Sequence, residues 1–212
     1  MNWKLKKHDL LGLLPEALVL TRTRDRDLRY LSFDDGPDPE HTPKLLDTLA
    51  RHNVKASFFL VGEKIEQYPE IVQRIVADGH MIGNHSYSHW SFRNMNLRKQ
   101  LDEVYRTDAL LRLFDNRPHH RMRPPHGYVG AKLLLHFARR KRSFIYWSYD
   151  SLDYQDRPIE ALISRLRDDP PSAGDIVLMH DDSDKAAEAL DVLLPEWLDQ
   201  GIRFGALPGN AP

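Results

Sequence analysis

From Leu28 onward the sequence predicts an α/β fold of parallel strands joined by crossover helices. Short apolar runs alternate with longer amphipathic ones about seven times. No Ser/Gly-rich linker divides them. Polar clusters recur where the apolar runs end, which is where parallel α/β folds bind ligands. The alternation fits a doubly wound sheet or a barrel equally well. With 212 residues and a hydrophobic fraction of 41%, the chain can bury one large core. Residues 28–212 are assigned to this domain and residues 1–27 to a basic and apolar N-terminal extension.

Leu28 to Phe33 reads as the first strand, and Thr42 to His52 as a helix with Thr42 as N-cap and Pro43 at its first position. Ala56 to Val61 is a β-prone apolar run closed by Gly62. Tyr68 to Asp78 places Ile71, Val72, Ile75 and Val76 on one helical face, with Gly79 as the stop. His80 to Gly83 is a brief strand, Asn96 to Phe114 a long helix, and Arg121 to Arg123 an extended piece ending at Pro124-Pro125. Ala131 to Arg140 is helical, Ser143 to Ser148 a strand of bulky residues, and Ile159 to Arg167 a helix. Asp175 to Met179 is a buried-type strand, Asp184 to Gln200 the final helix, and Ile202 to Phe204 a last short strand.

The formal net charge of -1 gives no field that would draw nucleic acid, and none is expected as a partner. The basic run Arg139-Arg140-Lys141-Arg142 falls where a helix ends and reads as a solvated terminus. With no cysteine, thiol nucleophiles, disulfides and Cys-based zinc sites are excluded. Near the N-terminus, Pro15 and Glu16 interrupt the apolar run, and no small-residue cleavage site follows. The run is about half the ~20 residues that a membrane-spanning helix needs. A cytoplasmic protein is therefore expected. Residues 1–20 either pack on the domain as an extra helix or make peripheral contact with a membrane.

Adjacent carboxylates, Asp34 and Asp35, follow the first strand, and His85 and His89 follow the third. The H-x-x-x-H spacing brings two imidazoles to one side of a helical turn, where both reach one ion. With a carboxylate as third ligand, the set leaves a coordination position open for water, the arrangement of a catalytic zinc site. Ser86 follows His85 where a His-Glu-x-x-His peptidase has Glu, and no Gly-x-Ser-x-Gly elbow is present. Both of those hydrolase classes are thereby set aside.

Five motifs in order then resemble the NodB-homology polysaccharide deacetylases, carbohydrate esterase family four. They are Ser32-Phe33-Asp34-Asp35-Gly36, His85-Ser86-Tyr87-Ser88-His89, Arg123-Pro124-Pro125-His126-Gly127, Asp150-Ser151-Leu152-Asp153-Tyr154 and Leu178-Met179-His180. The resemblance implies the family's distorted (β/α) barrel with about seven parallel strands in place of the doubly wound sheet. It implies a hydrolase that removes N-acetyl groups from an amino-sugar glycan or oligosaccharide. O-acetyl ester hydrolysis on xylan-like glycans, and deacylation or deformylation of a lipid-linked sugar, stand as alternatives.

Residue by residue, the resemblance makes Asp35, His85 and His89 the ligands of a divalent metal. Zinc stands first, with cobalt, nickel or manganese as alternatives. Asp34 is the implied general base, held by Arg123, and His180 the general acid, held by Asp153. The His126 N–H joins in binding the oxyanion. His126, Trp147, Tyr154 and Leu178 would line the sugar groove. Two positions depart from the family pattern: His126 replaces Tyr and Tyr154 replaces Trp, which bears on substrate preference. Outside the motifs, Lys55 is expected to support Asp153, and His119, His120 and His136 to serve packing or surface roles. Asp181, Asp182 and Asp184 are expected to open the last helix, where acids are favoured.

Overall fold

The computed structural model describes residue 12 and residues 14–209. Strands β1 (Val19–Leu20), β2 (Leu28–Asp34), β3 (Ser57–Leu60), β4 (Met81–Asn84), β5 (Phe144–Ile145), β6 (Tyr149–Asp150), β7 (Ile176–His180) and β8 (Arg203–Phe204) pair in parallel throughout. The central order is β4-β3-β2-β7-β6, with β8 beside the start of β2 and β1 beside β5. Met122 bridges Asn84 on one side and Phe144 on the other, and residues 146–148 carry β5 on into β6. The sheet thus returns on itself as a distorted barrel, an α/β fold with its crossover helices outside.

Those helices are α1 (His41–Arg51), α2 (Gly62–Gln67), α3 (Pro69–Ala77), α4 (Leu97–Asp115), α5 (Ala131–Arg139), α6 (Ile159–Asp168) and α7 (Lys185–Asp199). Their apolar faces complete two cores. The larger joins β2, β3 and β7 to α1, α3, α6 and α7 through residues such as Phe33, Leu46, Val72, Leu166 and Leu190. The second seats Phe137 on Phe144 beneath α4 and α5.

Several elements differ from expectation. The chain enters the fold before Leu28: Val19 and Leu20 form a strand on β5, where the sequence suggested a helix or a membrane contact. Residues 1–11 and 13 of that segment lie outside the described residues. Gly62 opens α2 where it was expected to close a strand. Its N–H donates to the Ser86 carbonyl at 2.9 Å, and a Cβ there would stand 2.5 Å from the Tyr87 ring. Thr42 is not the cap of α1. Asp38 accepts the N–H groups of Glu40 and His41, both at 2.9 Å, and Thr42 turns its hydroxyl inward. The expected strand at 121–123 shrinks to the bridge at Met122, because Pro124 and Pro125 have no N–H to extend a ladder. Of the run 143–148 only Phe144–Ile145 is strand, β5, and β6 begins just beyond it at Tyr149.

The basic run after α5 is not wholly solvated either. Arg142 is buried and pairs with the buried Asp108 at 2.7 Å, and Asn84 and His120 complete that network behind β4. Leu190 lies fully buried in the larger core. Leu190→Ala should cost about 2–5 kcal/mol of unfolding free energy, read as a lower urea midpoint with an unchanged slope.

Candidate active site

The barrel register lines up the polar strand ends. Asp34, the last residue of β2, stands opposite His180 at the end of β7 and Phe59 near the end of β3. On the far side of β3, Leu60 stands opposite Asn84, whose successor is His85. Asp34, Asp35, His85, His89, His126, Trp147, Tyr154, Leu178 and His180 all line one cavity of about 340 Å³. The structure therefore gathers most of the sequence-derived set into a single pocket. Arg123 and Asp153 lie behind its wall, each bonded to a residue that faces it.

At the first strand end, Asp35 Oδ1 lies 3.2 Å from His85 Nε2 and 2.9 Å from His89 Nε2. The three ligand atoms fall within 4.8 Å of one another, close enough to share one cation. Two observations fit such an ion. His85 Nδ1 donates to the Arg123 carbonyl at 2.7 Å, which fixes the tautomer that leaves Nε2 a lone pair for a metal. Asp35 Oδ1 is buried with no hydrogen-bonding partner, a cost that coordination to a cation would remove. Burial opposes the charge on Asp35, but the His85 and His89 imidazoles standing against its carboxylate hold the carboxyl far below the usual carboxylate range.

The H-x-x-x-H segment is a loop, not the helical turn expected from its spacing. Ser86 and His89 both adopt left-handed backbone, φ 67° and 59°, and these two reversals bring the imidazoles together. Asn84 Oδ1 accepts the Ser86 N–H at 2.9 Å. From α4, Glu103 Oε2 accepts the N–H of Tyr87 at 3.0 Å, the N–H of Ser88 at 2.7 Å and the Ser88 hydroxyl at 2.9 Å. One carboxylate oxygen thus pins the backbone between the two histidines.

Asp34 is buried, and its Oδ1 accepts from Arg123 Nη1 at 2.7 Å. Arg123 has no solvent exposure; its Nη2 donates to Ser32 Oγ at 2.9 Å and to the Tyr146 carbonyl at 3.2 Å. Across the cavity, Asp153 Oδ1 takes a hydrogen bond from His180 Nδ1 at 2.9 Å, and its Oδ2 takes the His180 N–H at 2.7 Å. Burial alone would lower His180. Hydrogen bonding and charge from Asp153, with Asp34 and Asp35 adding, outweigh it and raise the imidazole to about 9. Near neutral pH His180 is an imidazolium whose Nε2–H is available to the pocket.

His126 also has left-handed backbone, φ 53°, and its ring lies 5.0 Å from that of His89. Gly127 follows at φ 61° beneath the Trp147 indole, 3.2 Å from where a Cβ would sit. Trp147 is half-buried, Tyr154 is exposed and sets its ring edge-on to His180, and Leu178 closes the floor.

Two expectations outside the motifs are corrected. Lys55 does not reach Asp153. It donates to the Asp78 carbonyl at 2.5 Å, and Lys185 takes the expected place with a bond to the Asp153 carbonyl at 3.2 Å. Asp181 does not open the last helix, which begins at Lys185. It is buried beneath the site, accepts the Thr42 hydroxyl at 2.6 Å, and is pushed up to about 7 by burial. A Cβ at Gly36 would lie 2.2 Å from its carboxylate, so the Asp35-Gly36 turn rests directly on it. Buried His120, bonded to Asp115 at 3.0 Å, packs as expected. Sequence reasoning missed Glu103 because nothing marks it among the acids of an amphipathic helix. Asp181 was misread because its contacts come from Thr42 and Gly36, far away in the chain. A second group, Glu40, His41 and Asp184, also clusters, but Lys44 already bridges its two carboxylates at 3.1 and 2.8 Å.

Comparison with known proteins matches residues 21–140 to the polysaccharide deacetylase family. A Bacillus cereus peptidoglycan-N-acetylglucosamine deacetylase is 35% identical over 84% of this chain, which spans 66% of that relative's length. A Bradyrhizobium chitooligosaccharide deacetylase is 31% identical over 84% of this chain and 88% of its own. Among solved structures, the Bc1960 peptidoglycan N-acetylglucosamine deacetylase, crystallised with a naphthalenyl N-hydroxybenzamide, superposes with a TM-score of 0.84 at 33% identity. The match covers 91% of each chain.

His85→Ala and Asp35→Ala should each weaken zinc or cobalt binding by at least tenfold in a chelator-competition titration, with the fold retained by circular dichroism. His119→Ala, at a half-exposed histidine outside the cavity, should leave metal affinity unchanged.

Proposed function

The chain belongs to the polysaccharide deacetylase family, and from that premise we propose that it hydrolyses the N-acetyl amide of an amino-sugar glycan or oligosaccharide. The observation that carries this reading is the parallel register that sets Asp34 and His180 opposite each other, in one cavity with Asp35, His85 and His89. That arrangement supports a base and an acid flanking a single scissile bond. The names of the relatives support a peptidoglycan or chitin-like substrate.

A divalent cation, zinc in the first place, would be held by Asp35, His85 and His89 and would supply Lewis acidity to the amide carbonyl and to water. Asp34 takes a proton from the water that attacks the acetyl carbon. Arg123 fixes Asp34 Oδ1, so Oδ2 faces the reacting groups. As the C–N bond breaks, His180 gives its Nε2 proton to the departing sugar nitrogen, so an amine and acetate leave. Asp153 orients the ring and favours the protonated form. The His126 N–H stabilises the oxyanion, a role the side-chain change at this position leaves intact. His126, Trp147, Tyr154 and Leu178 form the bed for the sugar ring.

Metal analysis with acetate release from N-acetylglucosamine oligomers, acetylated xylan and lipid-linked amino sugars tests the assignment. Release from the oligomers is expected, and release from xylan or the lipid-linked sugar alone would replace it. Asp34→Asn and His180→Ala should each cut turnover by at least about 10²-fold while leaving bound metal unchanged. Turnover at wild-type level in either variant would refute that residue's role.

The pH profile follows from His180. An imidazolium raised to about 9 is fully protonated at neutral pH and loses its proton as pH rises through that value, so turnover should fall on the alkaline side near pH 9. In Asp153→Asn the largest supporting contribution is gone, while burial and the weaker pull of Asp34 and Asp35 remain. The alkaline limb should then move to lower pH, which stopped-assay rates across pH 5 to 10 would reveal.

A further inference from the structure

Trp90 immediately follows His89 and is 72% exposed, an unusual place for the largest apolar side chain. It is firmly presented. On one side His89 has φ 59° and bonds back through its N–H to Ser86 Oγ at 3.2 Å. On the other, Phe92 is fully buried, and Gln100 holds the Phe92 and Met95 carbonyls at 2.8 and 3.1 Å. The backbone carrying the indole is thus anchored at both ends, while the ring itself covers little.

Beside it runs a second cavity of about 480 Å³, lined by Ser88, Trp90, Asn94, Lys99 and Asp102 among others. Glu103 at its edge has one oxygen fully engaged by the loop. The cavity shares a wall with the candidate active site: Ser88 and Trp90 line one, and His89, between them in sequence, lines the other. An aromatic face flanked by hydroxyl, amide, ammonium and carboxylate groups matches the chemistry of a pyranose. The C–H face of such a sugar lies against a ring, and its hydroxyls need donors and acceptors at the edge.

We propose that this groove binds a neighbouring sugar residue of the same glycan strand, with Trp90 as its stacking platform and Asn94, Lys99 and Asp102 meeting its hydroxyls. The inference rests on the deacetylase reading and deepens it. The substrate is an extended oligomer occupying two adjoining sites, in preference to a lipid-linked monosaccharide.

The test compares kcat/KM on an N-acetylglucosamine dimer, tetramer and hexamer for the wild type, Trp90→Ala, Trp90→Phe and Asn94→Ala. The wild type should favour the hexamer over the dimer. Trp90→Ala should shrink that preference about tenfold, chiefly through KM, Trp90→Phe should retain most of it, and Asn94→Ala should lie between. Hexamer binding, followed by calorimetry in the Asp34→Asn background, should weaken in parallel. An unchanged hexamer-to-dimer ratio in Trp90→Ala overturns the proposal. So does an equal loss on every length, which would mark a disturbed His89. If the wild type releases acetate from no glycan, the deacetylase reading fails. Hexamer binding that is lost in Trp90→Ala would still support the groove.

Discussion

Arg123 carries a guanidinium into a place with no access to water, and such a charge is tolerated only when it is paired and hydrogen-bonded, as its two Nη groups are while Nε has no partner among the described residues. Its Nη1 meets Asp34 on β2, its Nη2 meets Ser32 on the same strand and the Tyr146 carbonyl between β5 and β6, and its plane lies 4.1 Å over the Phe59 ring of β3. Its backbone N–H bonds to Asn84 at the end of β4 at 3.0 Å, and its carbonyl fixes His85. One residue, through its side chain and its backbone, therefore ties together the strands that supply Asp34 and one of the imidazoles. Removing the guanidinium would leave Asp34 as a buried, unpaired carboxylate, so the same contact serves stability and chemistry.

This arrangement depends on a parallel sheet. Parallel strands bring all their carboxyl ends to one rim, and a register such as Asp34 opposite His180 then sets a carboxylate beside an imidazole without any loop having to reach across. The second layer follows the same logic. Asp153 grips His180 through both side-chain oxygens, Glu103 grips the histidine loop through one, and Asp181 fills the space under Gly36. Asp153 and Glu103 act on backbone N–H groups or a ring nitrogen, orienting groups that face the cavity, and Asp181 supports the Asp35-Gly36 turn by packing.

What could be read from the sequence was what is local or periodic. Helical spacing located the long helices to within a few residues, and the apolar runs located β2, β3, β4 and β7. The polar residues at strand ends converge because register, once parallel, leaves them no other place. Features set by distant neighbours were not legible. Val19 and Leu20 form a strand only because β5 offers an edge, and Gly62 opens a helix packed so closely on Tyr87 that no Cβ would fit. Thr42 has the composition of a cap but spends its hydroxyl on Asp181, 139 residues away. Arg142 ends a basic run yet is drawn inside by Asp108. The helical turn expected at His85 to His89 failed for a related reason: left-handed residues held by Asn84 and Glu103 achieve the convergence that i,i+4 spacing would have supplied in a helix.

The site also divides by exposure, and the division bears on how such a fold changes specificity. Ser32, Asp34, Arg123 and Asp153 are buried and bonded to one another or to strand backbone, so any substitution there leaves a polar group unsatisfied inside the barrel. The aromatic rim is not bound in this way. Tyr154 and Trp90 are 58% and 72% exposed and stand on loops after strand ends, and His126 is exposed in a turn. The two departures from the family pattern, His126 and Tyr154, both fall on this rim. A side chain there can change without a folding penalty, because it packs against solvent and substrate in place of the core. The candidate chemistry is thus constrained by the register of the sheet, while in the proposed function the choice of glycan would rest with residues the sheet does not hold.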